Sequence, residues 1–421
     1  MRHLITGGLF LIMVLANTLN AQSWSAIGTG LGQDTCTRTI ATTDGNDIYV
    51  ADYLRFQGGA GHLKVRKWNG QTWTTFPSYT IGHAELADIA IYKGDIYIAI
   101  GYGSSMLLKF DGIQWSLMSL PPGDMQKIRS LEVYNGQLII GGRFFLNDGT
   151  SNYDNIIMYD GTNFSAMPGL VGIVWTVTDV HIMNAEIYCL AERVYKWDGN
   201  TWNAWASTPL PQGGNLRRHL KSYHNELYYA RYTDGTLYKM DSNAATLVTT
   251  LPFKIQDMDV YNNELYLVGD STVMGPWPNY SIGGGLVKYD GQNFTTLSAP
   301  SAIRTGAVYN GELCYFSSST LTYNGNQYDR AFKMSSVLGL GEIGENQTSL
   351  SVYPNPARGM FYIENSLNEK QEIKLIDATG KVIRYISLQP EMKAEVGTDG
   401  LAPGIYFINN GSNTHRVIIT P

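Results

Sequence analysis

Short runs of alternating apolar and polar residues, each stopped by Gly, Asn or Asp, recur along most of the chain. "DIAIYKGDIYIAI", "LEVYNGQLIIGG", "VHIMNAEIYCLA", "KSYHNELYYA", "MDVYNNELYLVG" and "AVYNGELCYF" repeat one pattern, preceded by a divergent copy, "TIATTDGNDIYVA". Each reads as two strands joined by a tight turn such as Lys93-Gly94, Asn135-Gly136, Asn262-Asn263 or Asn310-Gly311, since Asn and Gly tolerate the positive φ such turns need. A second pattern follows the first: "VRKWNGQTWTTF", "LLKFDGIQWSLM", "IIMYDGTNFSAM", "VYKWDGNTWNAW" and "LVKYDGQNFTTL", with a degenerate copy around Met240. Its turns are Asn-Gly or Asp-Gly, and Trp73, Trp115, Phe164, Trp202 and Phe294 stand three residues after the glycine. Recurring once per unit, these aromatics are expected to pack between neighbouring units.

Two hairpins in a unit of roughly 40–50 residues is the arithmetic of a β-propeller blade. A solenoid would want shorter units and capping ends. The expected fold is therefore all-β: a seven-bladed β-propeller of four-stranded blades. The seventh unit, "YNGELCYFSSSTLTYNGNQYDRAFKMSS", aligns with the third but stops after the strand "AFKMS". The missing outer strand is expected to be "WSAIG", Trp24–Gly28, so that the last blade is closed by the N-terminal strand and two open sheet edges are protected. The alternative makes "YNGNQYDRAF" the final hairpin and leaves "WSAIG" spare.

Alternating strand direction places the tight turns on one face and the long, variable connections on the other. Loops on a rigid scaffold carry function disproportionately. Candidate ligand contacts on the variable face are the aromatics Phe144, Phe145, Tyr153, Trp175, Trp277 and Tyr280, suited to stacking on saccharide rings or peptide, and Arg143, Arg217, Arg218 and Arg304, suited to anions. Asp88, Asp179 and Asp257 take like positions at the start of three first patterns, as channel-lining acceptors or as contacts for a cation or sugar hydroxyl.

Composition narrows the class. The 421 residues are 44% hydrophobic and 16% charged, with a formal net charge of −6, which gives no basic footprint for nucleic acid. Residues 1–21 read as a signal peptide, with Arg2, an apolar stretch from Leu9 to Ala16 and a small residue at Ala21; the run is too short to span a bilayer. Cys36, Cys189 and Cys314 are odd in number and match no disulfide or metal framework, so small buried hydrophobes are expected. The histidines are scattered without a His-x-His pair, and no Gly-x-Ser-x-Gly, His-Glu-x-x-His or phosphate-cradling loop is present. No catalytic residue, metal or cofactor is expected.

"LIIGGRFF…NIIMYDGTNFSAM" resembles the kelch family of propellers, with its glycine pair, Gly141-Gly142, followed by spaced Tyr and aromatic residues. The last stretch resembles the C-terminal sorting domain of the type IX secretion system. Tyr353, Pro354, Asn355, Pro356, Gly380, Lys381, Gly404, Ile405 and Tyr406 fall at that family's motif positions, while Thr420-Pro421 stands where a closing lysine is usual. The resemblance implies a small C-terminal β-sandwich, export through periplasm and outer membrane of a Bacteroidota-type cell, the type IX machinery as partner, and a secreted or cell-surface product. The expected organisation is a signal peptide at 1–21, propeller at 22–338, linker at 339–348 and sorting domain at 349–421. The leading functional expectation is a non-catalytic binding module for glycan or protein. A carbohydrate-active hydrolase or lyase and a structural surface protein are the alternatives.

Overall fold

The computed structural model describes residues 23–55, 61–82, 84–103, 105–170, 176–205, 218–242, 244–272, 282–300, 303–335, 350–365, 370–377, 381–390, 392–410 and 414–420. The described residues are strands and turns, with no helix. Two compact units, 1–339 and 340–421, divide the chain.

In the first unit the repeated patterns become propeller-like four-stranded antiparallel sheets. Ala84–Tyr92, Asp95–Gly103, Met106–Phe110 and Trp115–Leu117 form one, in chain order. Gly123–Tyr134, Gln137–Asn147, Asn152–Tyr159 and Phe164–Ala166 form the next. The sheet that begins with Arg38–Thr43 also takes Tyr79–Ile81 as an extra strand beside Gly61–Trp68. The turn chemistry is as the sequence requires: Lys93, Asn135, Asn262 and Asn310 have φ of 53°, 47°, 47° and 49°. In the second hairpins Asp111 Oδ1 accepts from the Ile113 and Gln114 amides, and Asn69, Asp160, Asp198 and Asp290 repeat that cradle.

The first strands of these sheets touch in a closed cycle. Arg38–Thr43 lies beside Ala84–Tyr92, followed by Gly123–Tyr134, Asp179–Met183, Arg218–Tyr223, Lys254–Tyr261 and Ile303–Tyr309, which returns to Arg38–Thr43. Ser23–Ala26 pairs antiparallel with Ala331–Ser335, Trp24 opposite Met334 and Ala26 opposite Phe332, as the outer strand of the Ile303–Tyr309 sheet. The alternative placement of "YNGNQYDRAF" is overturned, because Leu321–Tyr323 and Asn326–Tyr328 make a separate two-stranded hairpin.

Two aromatic belts join sheet to sheet. On the outer strands, the indole N–H of Trp24 donates to Ser298 O at 3.0 Å, that of Trp73 to Ile27 O at 2.8 Å, and that of Trp115 to Pro77 O at 2.7 Å. Each acceptor follows the outer strand of the preceding sheet. On the tight-turn side, the tyrosine ending a first strand donates its hydroxyl to the turn carbonyl of the next sheet: Tyr92 to Gly136, Tyr134 to Ala185, Tyr223 to Asn263, Tyr261 to Gly311 and Tyr309 to Asn46. Between the belts apolar residues interlock, as where Tyr53, Leu63 and Val65 meet Leu86, Ile98 and Leu108. Cys189 and Cys314 are buried in such clusters, as expected. Cys36 departs from that expectation. Its thiol sits in a polar network with Thr39, Asp52 and Arg330, and burial pushes it up to about 12.

The second unit orders its strands as Val382–Leu388, Gln371–Asp377, Gly404–Asn409, Thr414–Ile419, Leu350–Arg358, Met360–Asn365 and Lys393–Gly397. Leu350–Arg358 changes partner along its length. Leu350 to Tyr353 pair antiparallel with Asn365 to Tyr362, and Ala357 then lies parallel to Ile419. The switch falls on Pro354-Asn355-Pro356, where two prolines lack the N–H that a continuous ladder needs.

Candidate functional site

Every first strand runs from the variable connection toward its tight turn, so its opening residues lie at the variable-face mouth of the central channel. Asp88, Asp179 and Asp257 stand there, and each reaches the neighbouring sheet. Asp88 accepts from the Ile89 amide and, across the gap, from Leu131 N at 2.8 Å. Asp179 accepts from Leu220 N at 2.7 Å on one side and Ser130 Oγ at 3.2 Å on the other. Asp257 accepts from Met258 N, Thr305 Oγ1 and Gly306 N. These carboxyls stitch adjacent first strands together.

Further along the first strands, toward their tight turns, a cavity of about 310 Å³ is lined by Asp88, Glu132, Asp179, His181, Lys221 and Asp257 among others. Its electrostatics follow from burial. Asp88 and Glu132 are each pushed up to about 7 and Asp179 well above the usual carboxylate range, chiefly by desolvation, with carboxylate repulsion adding to it. Burial also lowers His181 to about 4, and its Nε2 accepts from the Ser222 amide as the neutral ring requires. No cluster of His, Cys, Asp and Glu able to hold a metal occurs among the described residues.

These shifts carry a pH consequence. Carboxyls that hold protons to higher pH when folded give the folded chain more protons than the unfolded one between about pH 4 and 7. Their stabilising share is complete below the unfolded value and is lost as pH rises through the folded one. The urea midpoint should therefore fall from pH 5 to pH 8, and Glu132→Gln should make that fall shallower. An unchanged slope in the variant would count against this account.

Of the sequence-predicted contacts, Arg304 sits at the channel mouth, with Nε donating to Ser318 Oγ at 3.3 Å. Phe145 is 43% exposed. Phe144 and Tyr153 are corrections: both pack into the core with Ile128, Leu146 and Ile157, so neither offers a free stacking face. Successive strand residues face opposite sides, and Phe144 takes the inward one. Tyr153 instead directs its hydroxyl to Asp148. Arg143 is half-buried opposite Lys127, its Nε without a protein partner. Trp175, Arg217, Trp277 and Tyr280 lie outside the described residues, as does the Arg218 side chain, though Arg218 opens the strand Arg218–Tyr223.

Sequence reasoning missed a column. One residue before Thr39, Asp88, Ser130, Asp179, His219, Asp257 and Thr305, which share one position of the first pattern, stand Arg38, Ala87, Arg129, Thr178, Arg218, Gln256 and Arg304. Of these, Arg38, Ala87, Arg129, Thr178, Gln256 and Arg304 line a second cavity of about 130 Å³ at the mouth, with Asp88, Asp179 and Asp257. Stacking the repeats and reading that column would have found it.

In the second unit Tyr353 is 39% exposed and donates to Glu364 Oε2 at 2.8 Å, while Tyr406 is buried and donates to Ala402 O at 2.9 Å. Lys381 N donates to Asp377 Oδ1 at 3.0 Å. Gly404 opens the strand carrying exposed Ile405. The side chains of Pro354, Asn355 and Pro356, and Gly380 itself, lie outside the described residues.

Fold and motif together define an exported, all-β, propeller-like protein with a C-terminal sorting module. Residues 351–420 match the family model of the secretion system C-terminal sorting domain. The protein is thus cargo of the type IX secretion system, carried across the outer membrane to the cell surface or beyond. No curated protein matches the chain. No helix among the described residues is long and apolar enough to cross a membrane.

Proposed function

We propose that the chain is a seven-bladed, kelch-like β-propeller that binds an extracellular glycan or protein on its variable-loop face and does no chemistry on it. Residues 1–21 would be its signal peptide, 22–338 the propeller, 339–348 the linker and 349–421 a small β-sandwich read by the export machinery. The blade count is supported by the cycle of first strands. The sandwich is supported by the single cluster in which Phe361, Ile363 and Val396 meet Ile373, Leu375 and Ile408. The observation that carries the binding reading is the convergence at one channel mouth of donors from several sheets, Arg38, Arg129, Gln256 and Arg304 among them. Arrays of fixed donors around a concave polar site recognise ligands. The hydrolase alternative would draw on Asp88, Asp179 and Asp257, but each is already committed to main-chain donors of the neighbouring sheet, as a structural acceptor would be.

The test is binding of the exported full-length chain to a broad glycan array and a panel of extracellular proteins. Saturable binding of at least one class, with the ligand recovered unchanged, is the expected result. Turnover of the ligand would favour the hydrolase reading, and silence across both panels would favour the structural one.

A further inference from the structure

Four first strands carry a β-bulge near their starts, and in each the extra residue falls at the same place. Ala87 bulges between Leu86 and Asp88, Arg129 between Ile128 and Ser130, Gln256 between Ile255 and Asp257, and Arg304 between Ile303 and Thr305. Arg38 holds the corresponding position, before Thr39, in an unbulged strand. A bulge re-aims a side chain and is a device found beside functional sites. All five residues line the 130 Å³ cavity.

Two of the donors gathered there are unspent. Gln256 is 2% exposed; its Oε1 accepts from Arg38 Nη1 at 3.1 Å, and its Nε2 has no protein partner. The Arg129 side chain is 8% exposed; its Nη1 stands 3.4 Å from Glu85 Oε2, and its Nε has no protein partner. Buried donors left unmet are costly, so a partner arriving from outside the chain accounts for them. Guanidinium groups suit a carboxylate above all, because their planar donors match its two oxygens. Burial raises Asp88 to about 7 and Asp179 well above the usual carboxylate range, which lessens the negative charge set against the arginines at the mouth. Thr178, Thr305 and Asp257 place hydroxyl and carboxyl groups beside these donors, whereas the apolar lining is confined to Ile40, Ala41 and Ala87. That polar surround suits a ring bearing hydroxyls better than the side chains of a peptide end.

We infer that the bulged mouth is a carboxylate-binding site whose ligand is the acidic terminal unit of a saccharide, of uronic-acid type. The inference rests on the binding reading above and specifies its ligand. The full-length chain is titrated with glucuronate and galacturonate, and with glucose and galactose as neutral counterparts, by calorimetry and ligand-observed NMR. The acids should bind at least about tenfold more tightly than the neutral sugars, the difference one charge-assisted hydrogen bond makes. Gln256→Glu, which places a carboxylate in the cavity, and Arg129→Gln, which removes a cation, should each weaken the acids about tenfold or more, with melting curves confirming that both variants fold.

Equal affinity for acid and neutral sugars would overturn the inference, as would uronate binding that survives in both folded variants. So would preference for peptides with a free C-terminal carboxylate, or equal competition by acetate, which marks a site for any small anion. Neutral glycans bound on the array without uronate preference would sink the inference and leave the binding reading standing. No ligand in either experiment would remove both.

Discussion

Replacing Asp52 by asparagine is expected to cost about 3–5 kcal/mol of stability, the range for breaking a buried ion pair. Asp52 and Arg330 are both fully buried, and Arg330 Nη2 donates to Asp52 Oδ1. Arg66, 4% exposed, donates to Asp52 Oδ2 at 2.6 Å. One carboxylate therefore serves two guanidinium groups, and an amide leaves both cations without a buried counter-charge. Arg330 precedes the strand Ala331–Ser335, while Asp52 lies in Ile48–Arg55 of the next sheet, 278 residues away in sequence. Arg330 also holds a φ of 72°, a left-handed conformation that costs a non-glycine residue about 1 kcal/mol. The network that sustains it bridges the sheet completed by Ser23–Ala26 and the sheet that begins with Arg38–Thr43. Asp34→Ala is the control. Asp34 also pairs with Arg66 and with Lys64, but its side chain is 37% exposed, so water replaces much of what is lost and the change should stay within about 1 kcal/mol. Urea melts of both variants decide the matter; equal losses would mean that the buried network is not the support described.

The hairpins, the repeat and the closing strand were legible because they rest on local physics. Alternation fixes a strand's faces, Asn-Gly and Asp-Gly fix the turn, and a unit lacking its outer strand advertises the gap that "WSAIG" fills. The sorting motif was legible because Tyr353-Pro354-Asn355-Pro356, Gly380-Lys381 and Gly404-Ile405-Tyr406 resemble a known family's motif, and the structure adds that the prolines stand where a strand changes partner. Two kinds of feature were hidden. The first depends on parity. Between Gly141 and Phe145 the ladder shifts register, so alternation could not tell which of Phe144 and Phe145 faces inward. Bulges do the same to Arg129, Gln256 and Arg304, turning them toward the channel against the period-2 pattern. The second depends on distance along the chain. Nothing near Arg330 announces Asp52, and nothing in "VYNGELC" says that Tyr309 will donate to Asn46, 263 positions earlier. Asp88, Asp179 and Asp257 fall between the two kinds, since their shared position was visible but their partners in the neighbouring sheets were not.

Trp24→Ala is expected to cost about 3–5 kcal/mol, the usual loss for deleting a buried large aromatic. Trp24 is 8% exposed and packs against Tyr315 and Phe332, with ring centroids 5.9 Å and 5.7 Å away. Its indole N–H is held by Ser298 O of the preceding sheet, and its own carbonyl accepts from the Tyr328 hydroxyl at 3.0 Å. The side chain thus fixes the short strand Ser23–Ala26 both to its own sheet and to the neighbour. Without it, a four-residue edge strand keeps its ladder hydrogen bonds but little apolar contact, and the partner strand Ala331–Ser335 gains an open edge. Trp24→Phe separates the two contributions. It keeps most of the ring packing and gives up one hydrogen bond, so it should cost only about 1 kcal/mol plus the smaller ring's lost contacts. Hydrogen exchange locates the effect: in Trp24→Ala the amides of Ala331–Ser335 should lose protection first, while those of Gly123–Tyr134 keep it. Uniform loss of protection across the sheets would mean that the N-terminal strand is not a separable clasp but part of one cooperative unit.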